Sequence, residues 1–121
     1  MPLTFPKALR LTRSSEFLRI KNEGRSYPGR YMVVGVLRDE RTAACGNKVG
    51  VITSRRVGGA VVRNRVRRRF RELLRLSQPT WQPGVWAVLI ARHTAPGATY
   101  EELHREWTRL GQRSGFLRRE F

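Results

Sequence analysis

Apolar residues between Val62 and Leu73 recur every three or four positions, placing Val62, Val66, Phe70 and Leu73 on one side of a 3.6-residue wheel. That spacing predicts an amphipathic helix packed on a core. A second stripe, Leu103, Trp107 and Leu110, predicts a last helix, opened by Thr99 and Glu102 as a capping box. Strand patterns lie between. Tyr31 to Leu37 is β-branched and aromatic, and Lys48 to Ser54 alternates Val49, Val51 and Thr53 against Gly50, Ile52 and Ser54. Val85 to Ala91 is apolar throughout, as in a central strand covered on both faces. A first helix runs from a cap at Thr12 or Ser14 to about Glu23, where Gly24 stops it, with Phe17 and Ile20 on one face. Gly58 and Gly59 separate the second strand from the long helix, and Pro79 and Pro83 forbid its continuation past Leu76. Arg38 to Asn47 reads as a polar connection. Strand, helix, strand makes a β-α-β crossover, which general topology would make right-handed.

The chain of 121 residues is read as a single domain, residues 1–121, with an extended basic arm over about 1–11 and a loosely held tail over about 112–121. Charge changes the picture most. Twenty-five Lys and Arg stand against nine Asp and Glu, a formal charge of +16 that attracts polyanions without choosing among them. Cys45 is the single cysteine, which excludes an internal disulfide and fits a reducing, cytoplasmic setting. No apolar run approaches the ~20 residues of a membrane span, and nothing at the N-terminus resembles a secretory signal.

The charge is concentrated. Six arginines fall within the nine positions from Arg63 to Arg71, and Glu72 is the only acid between Lys48 and Glu101. On the wheel, Arg63, Arg67, Arg68 and Arg71, with Asn64, point away from the apolar stripe. Like charges at i,i+3 and i,i+4 cost roughly 0.2–0.5 kcal/mol per pair, which a polyanion would relieve. Guanidinium also suits phosphate, because its planar fork binds two oxygens at once. The helix is therefore read as nucleic-acid binding.

KVGVITSRRVGGAV followed by RNRVRRRFRE resembles the signature of the protein subunit of bacterial ribonuclease P. Arg63, Asn64 and Arg65 match the family's Arg-Asn-Arg triplet, Arg55 and Arg56 its basic pair, and Gly58 with Ala60 to Val61 its turn. The likeness extends from RLTRSSEF to VLIAR. It implies an α+β fold, α-β-β-β-α-β-α in a two-layer sandwich, with a four-stranded mixed sheet packed by helices and a left-handed β-α-β crossover. Three strands are legible in the pattern; the fourth is placed by the resemblance within Ala43 to Gly50, or by splitting the Lys48 strand from a shorter one. It further implies that Arg63, Asn64, Arg65, Arg67, Arg68, Arg69 and Arg71 grip a catalytic RNA subunit, Arg69 from within the apolar arc. Phe17, Lys21, Tyr31, Lys48, Arg55 and Arg56 would hold the single-stranded 5′ leader of precursor tRNA. Lys21 and Gly35 stand where the family has aromatics, and Tyr31, on the strand face of Val33 and Gly35, would supply a displaced ring.

The residues offer no catalytic constellation of their own. His93 and His104 lie in different elements without an Asp partner, and Glu101, Glu102 and Glu106 share a helix with competing arginines, their charges reading as a solvated face. The expectation is thus no catalytic residue and no metal ligand in the polypeptide. The resemblance implies that the RNA subunit cuts the leader from precursor tRNA using Mg2+, with no membrane and no obligate protein partner. A small ribosomal or RNA-chaperone protein is the alternative on charge alone.

Overall fold

The structure, a computed structural model, describes residues 9–119. Helix α1 (Ser14–Glu23) is followed by strands β1 (Arg25–Pro28) and β2 (Met32–Leu37), a short helix α2 (Glu40–Cys45) and strand β3 (Lys48–Ile52). The long helix α3 (Ala60–Ser77), strand β4 (Trp86–Ala91) and helix α4 (Tyr100–Arg113) complete the chain. The sheet order is β1-β2-β4-β3, with β3 and β4 parallel and the other neighbours antiparallel. The apolar strand β4 is central, as its uniform hydrophobicity requires. β3 and β4 are joined through α3, which is the expected crossover.

The fourth strand is β1, not a segment of Ala43 to Gly50. RSYP has only Tyr27 half-buried and lies at the sheet edge, where Pro28 is tolerated because it owes no ladder bond on its free side. Residues 40–45 form α2 instead. Asp39 caps it, accepting from the Thr42 amide at 2.8 Å, while the Thr42 hydroxyl, fully buried, donates to the Gly84 carbonyl at 2.7 Å. The polar connection of the sequence pattern is therefore an ordered helix tied to the turn before β4.

Strand alternation gives the sheet two different faces. Val34, Val36, Val49, Ala87 and Leu89 point toward α3 and α4, whose Val66, Phe70, Leu73, Leu103, Trp107 and Leu110 are all buried. Leu37, Trp86 and Val88 point the other way, against Ile20 of α1 and Leu11. Helix α1 thus adds a partial third layer. Thr99 caps α4 as expected, its hydroxyl accepting from the Glu102 amide at 3.1 Å while Glu102 accepts from Thr99 at 2.8 Å. At the first helix the cap is different: the Glu16 carboxylate accepts the amides of Thr12 and Arg13 at 3.0 and 3.1 Å, so Arg13 holds the cap position.

The described part of the tail is pinned rather than loosely held. Phe116 is fully buried between Trp81 and Trp107, with ring centroids 5.2 and 5.9 Å away, and the Phe116 carbonyl and Arg118 amide bond Gln82 and Thr80. Of the N-terminal arm, residues 1–8 lie outside the described residues. Its end, Arg10 and Leu11, runs beside β3, and the Leu11 amide donates to the Val49 carbonyl at 2.9 Å.

Candidate nucleic-acid interface

Helix α3 presents two kinds of arginine. Its buried side, Val66, Phe70, Leu73 and Leu74, fixes the orientation. Arg65, Arg68 and Arg71 are then exposed, with no carboxylate within ion-pair distance among the described residues. The one acid on the helix, Glu72, is taken by Arg75 through two bonds of 2.9 and 3.0 Å. Burial pushes the Arg71 guanidinium below its ordinary range, and the charges of Arg67 and Arg10 push it further. Positive groups are therefore crowded here without internal relief.

The other arginines are partly committed. Arg67 donates to Asn64 at 2.9 Å and to Thr53 at 2.7 Å, bracing the helix against the end of β3. Arg69 turns its head to the Ala98 carbonyl at 3.1 Å, so it ties α3 to the segment before α4 instead of facing solvent. Its place in the apolar arc carries the physical reason: a guanidinium there must find a carbonyl or stay unpaired. Arg63 is half-buried, and its Nε has no hydrogen-bond partner. Arg55 and Arg56 are exposed in a single 3-10 turn, Arg55–Val57, just beyond β3.

A second surface lies on the opposite sheet face. Phe17 of α1 rests over Gly50, and from it a groove of about 590 Å³ runs past Arg10 and Leu11 around the β3 edge to the α3–α4 side, where Arg68, Arg71 and Tyr100 line it. On the same sheet face as Gly50, Val33, Ile90 and Ile52 lie side by side in register and are half-buried. Lys21 is exposed one turn after Phe17. Gly35 lies directly under α1, where a Cβ would fall 3.1 Å from Ile20 and 3.0 Å from Val88. No ring fits there without lifting the helix.

The structure places Tyr31 on the other side of the sheet from Phe17 and gives Lys48 an acidic partner. Tyr31 precedes the strand rather than sharing its alternation, because the amides of Arg30, Tyr31 and Met32 all donate to the Glu106 carboxylate at 2.7, 2.8 and 3.0 Å. Its ring packs on the α3–α4 side and its hydroxyl donates to Glu102 at 2.9 Å. Lys48 is neutralised by Glu16 at 2.7 Å and sits 5.4 Å from the Trp86 ring. Glu106, expected on a solvated face, is buried. Among the described residues no three His, Cys, Asp or Glu side chains converge as a metal's donor set would, and no helix is long and apolar enough to cross a membrane. Sequence reasoning missed Arg10 and the Val33–Ile90–Ile52 row. Their signal was cross-strand register, which one strand's pattern does not carry.

A family model described as Ribonuclease P matches residues 5–115. The chain belongs to the ribonuclease P protein family. A "Ribonuclease P protein component" of Symbiobacterium thermophilum is 40% identical over 114 residues, spanning 94% of this chain and 97% of that protein. Another, of Acidothermus cellulolyticus, is 39% identical over 105 residues, 87% of each. The fold agrees with solved ribonuclease P proteins of Staphylococcus aureus, with a TM-score of 0.79 at 23% identity over 92% of this chain and 99% of that one. For the Thermotoga maritima protein the TM-score is 0.73 at 24% identity, covering 86% and 96%. Membership in the ribonuclease P protein family makes the chain a protein component of that ribonucleoprotein, and the ribosomal or chaperone alternative is not favoured.

Proposed function

We propose that the chain holds RNA on both sides of its sheet while the RNA subunit performs the chemistry. The observation that carries this reading is the free presentation of Arg65, Arg68 and Arg71 on a helix whose opposite side is locked into the core. This face grips the folded RNA subunit. The single-stranded 5′ leader of precursor tRNA lies on the α1 side of the sheet, where Phe17 over Gly50 stacks a base without regard to its identity and the exposed Lys21, Arg55 and Arg56 supply cations. Holding the leader favours substrate over product, since mature tRNA lacks it.

Five of the described carboxylates are committed in ways that support assigning hydrolysis, and its Mg2+, to the RNA subunit. Glu16 is paired with Lys48, Glu23 and Asp39 with Arg19, Glu72 with Arg75, and Glu106 with three amides. The work is cytoplasmic on this reading. The test is cleavage of leader-bearing tRNA by a bacterial ribonuclease P RNA with and without the purified chain. The expected result is cleavage at lower magnesium when the chain is added and none by the chain alone; cleavage by the polypeptide unaided would overturn the division of labour.

A further inference from the structure

Helix α4 borders a second concavity, about 1150 Å³, that shares only Tyr100 with the groove running from Phe17 to Arg68 and Arg71. Arg105, Arg109, Arg113 and Arg119 line it, and Glu101 is the one acid on its wall among the described residues. The first three arginines are spaced at i, i+4 and i+8, so their stems rise by about 6 Å per step along one side of the helix. Among the described residues only Glu106 comes within ion-pair distance of this ladder. Among the described residues Arg105, Arg113 and Arg119 have no carboxylate within ion-pair distance. Arg109 reaches Glu106 only at 3.7 Å with its own side chain 57% exposed, and Glu106 is already committed to three amides.

The groove also has a flat, partly apolar wall. Leu76 of α3 is 53% exposed there, and the rings of Tyr100 and His104 lie 6.4 Å apart at a tilt of 30°. The Tyr100 hydroxyl is buried with no hydrogen-bond partner among the described residues, so it is the ring that faces the groove. Tyr100 lines the Arg68–Arg71 groove as well, so the two concavities meet at one side chain. Arginines at regular rise beside aromatic faces are the chemistry of a sugar-phosphate strand. An acidic peptide would satisfy the charges but would leave the aromatic wall and the continuity with α3 without a purpose.

We propose that the α4 groove is a second RNA-binding site, taking the sugar-phosphate backbone of the RNA subunit where it passes off the arginine face of α3. This rests on the α3 reading. The experiment compares the full chain with the triple variant Arg105→Gln, Arg109→Gln, Arg113→Gln, titrating each into a bacterial ribonuclease P RNA over a series of monovalent salt concentrations. The expected result is affinity at least about tenfold weaker near physiological salt and a log-log salt slope shallower by about 2, from two to three lost phosphates at roughly 0.7–0.9 each. Thr108→Glu, which adds a negative charge and removes no arginine, should weaken binding in the same direction. Melting temperature reports whether each variant is folded.

If the parent chain binds the RNA and both variants bind it with the same affinity and slope, the α4 site is overturned while the α3 reading stands. If the parent does not bind the RNA, both fall. If the triple variant loses binding to fluorescent poly-glutamate but keeps its RNA affinity, the groove serves an acidic protein and the proposal is overturned.

Discussion

The ring of Phe17 lies over the bare backbone of Gly50, so closely that a Cβ on Gly50 would fall 2.9 Å from Phe17 Cε1 and 3.0 Å from Cζ. The glycine is the seat of the aromatic. Because the two nearest atoms are the end of a movable side chain and the next, Leu11 Cβ, lies at 3.3 Å, Gly50→Ala should displace the ring rather than unfold the sheet. The expected outcome is a near-normal melting temperature with reduced preference for leader-bearing over mature tRNA, by up to the ~1–3 kcal/mol of one stacked base. Phe17→Ala should give the same loss. Binding of both tRNAs measured side by side checks it, and equal weakening for the two would remove Phe17 from the leader site.

Arginines on α3 should separate by what they touch. Arg65→Ala removes an exposed, unpaired charge and should reduce the salt slope of RNA binding by about 0.7–0.9 per lost phosphate while leaving the melting temperature unmoved. Arg69→Ala should do the reverse, costing about 1–3 kcal/mol of stability through its lost bond to Ala98 and little RNA affinity. Salt titrations paired with thermal melts distinguish the two, and a destabilised Arg65→Ala would show that its side chain has an unseen structural role.

Periodicity located the elements that bury a face and missed those that do not. Val66, Phe70 and Leu73, and Leu103, Trp107 and Leu110, lie where the helical stripes place them, and β4 is central as its composition demands. Strand β1 escaped because an edge strand needs no apolar alternation, and α2 because its signal is an Asp39–Thr42 cap rather than a stripe. The site divided in the same way. A helix wheel says which arginines face outward, yet the commitments of Arg67 to Thr53, Arg69 to Ala98 and Lys48 to Glu16 depend on residues 14, 29 and 32 positions away in sequence. Tyr31 misled for a related reason: strand alternation was extended one residue too far, into a turn held by Glu106.

Glu106 is the buried knot between α4 and the start of β2. Glu106→Ala would strand three amides, each costing about 1–3 kcal/mol when buried and less where water reaches it, so a loss of about 2–4 kcal/mol is expected. That corresponds to a melting shift on the order of 10 °C or more. Gly29→Ala should act through the same knot, since its Cβ would fall 2.5 Å from the Glu106 carboxyl carbon. Combining the two should cost less than their sum, because the alanine at 106 removes the nearer obstacle and leaves only Leu110 Cδ1, at 2.8 Å. Thermal denaturation of the two single variants and the double checks it, and strict additivity would show that Gly29 acts elsewhere.

Lys48 offers a pH test of whether its charge belongs to the fold or to the leader. Burial alone would raise the Glu16 carboxyl, but the hydrogen bond from Lys48 and the amides of Arg13 and Thr12 outweigh it and hold the group below its ordinary range. A carboxyl depressed in the folded state stabilises above its ordinary value of 4.5 and loses that contribution as pH falls through the lower, folded value. Glu16→Gln and Lys48→Met should therefore each lower stability at neutral pH and flatten its decline from neutral pH to about 3, most strongly for Glu16→Gln. If Lys48→Met leaves melting temperature and its pH profile unchanged while impairing leader binding, the ammonium is free for RNA and the ion pair with Glu16 does not persist in solution.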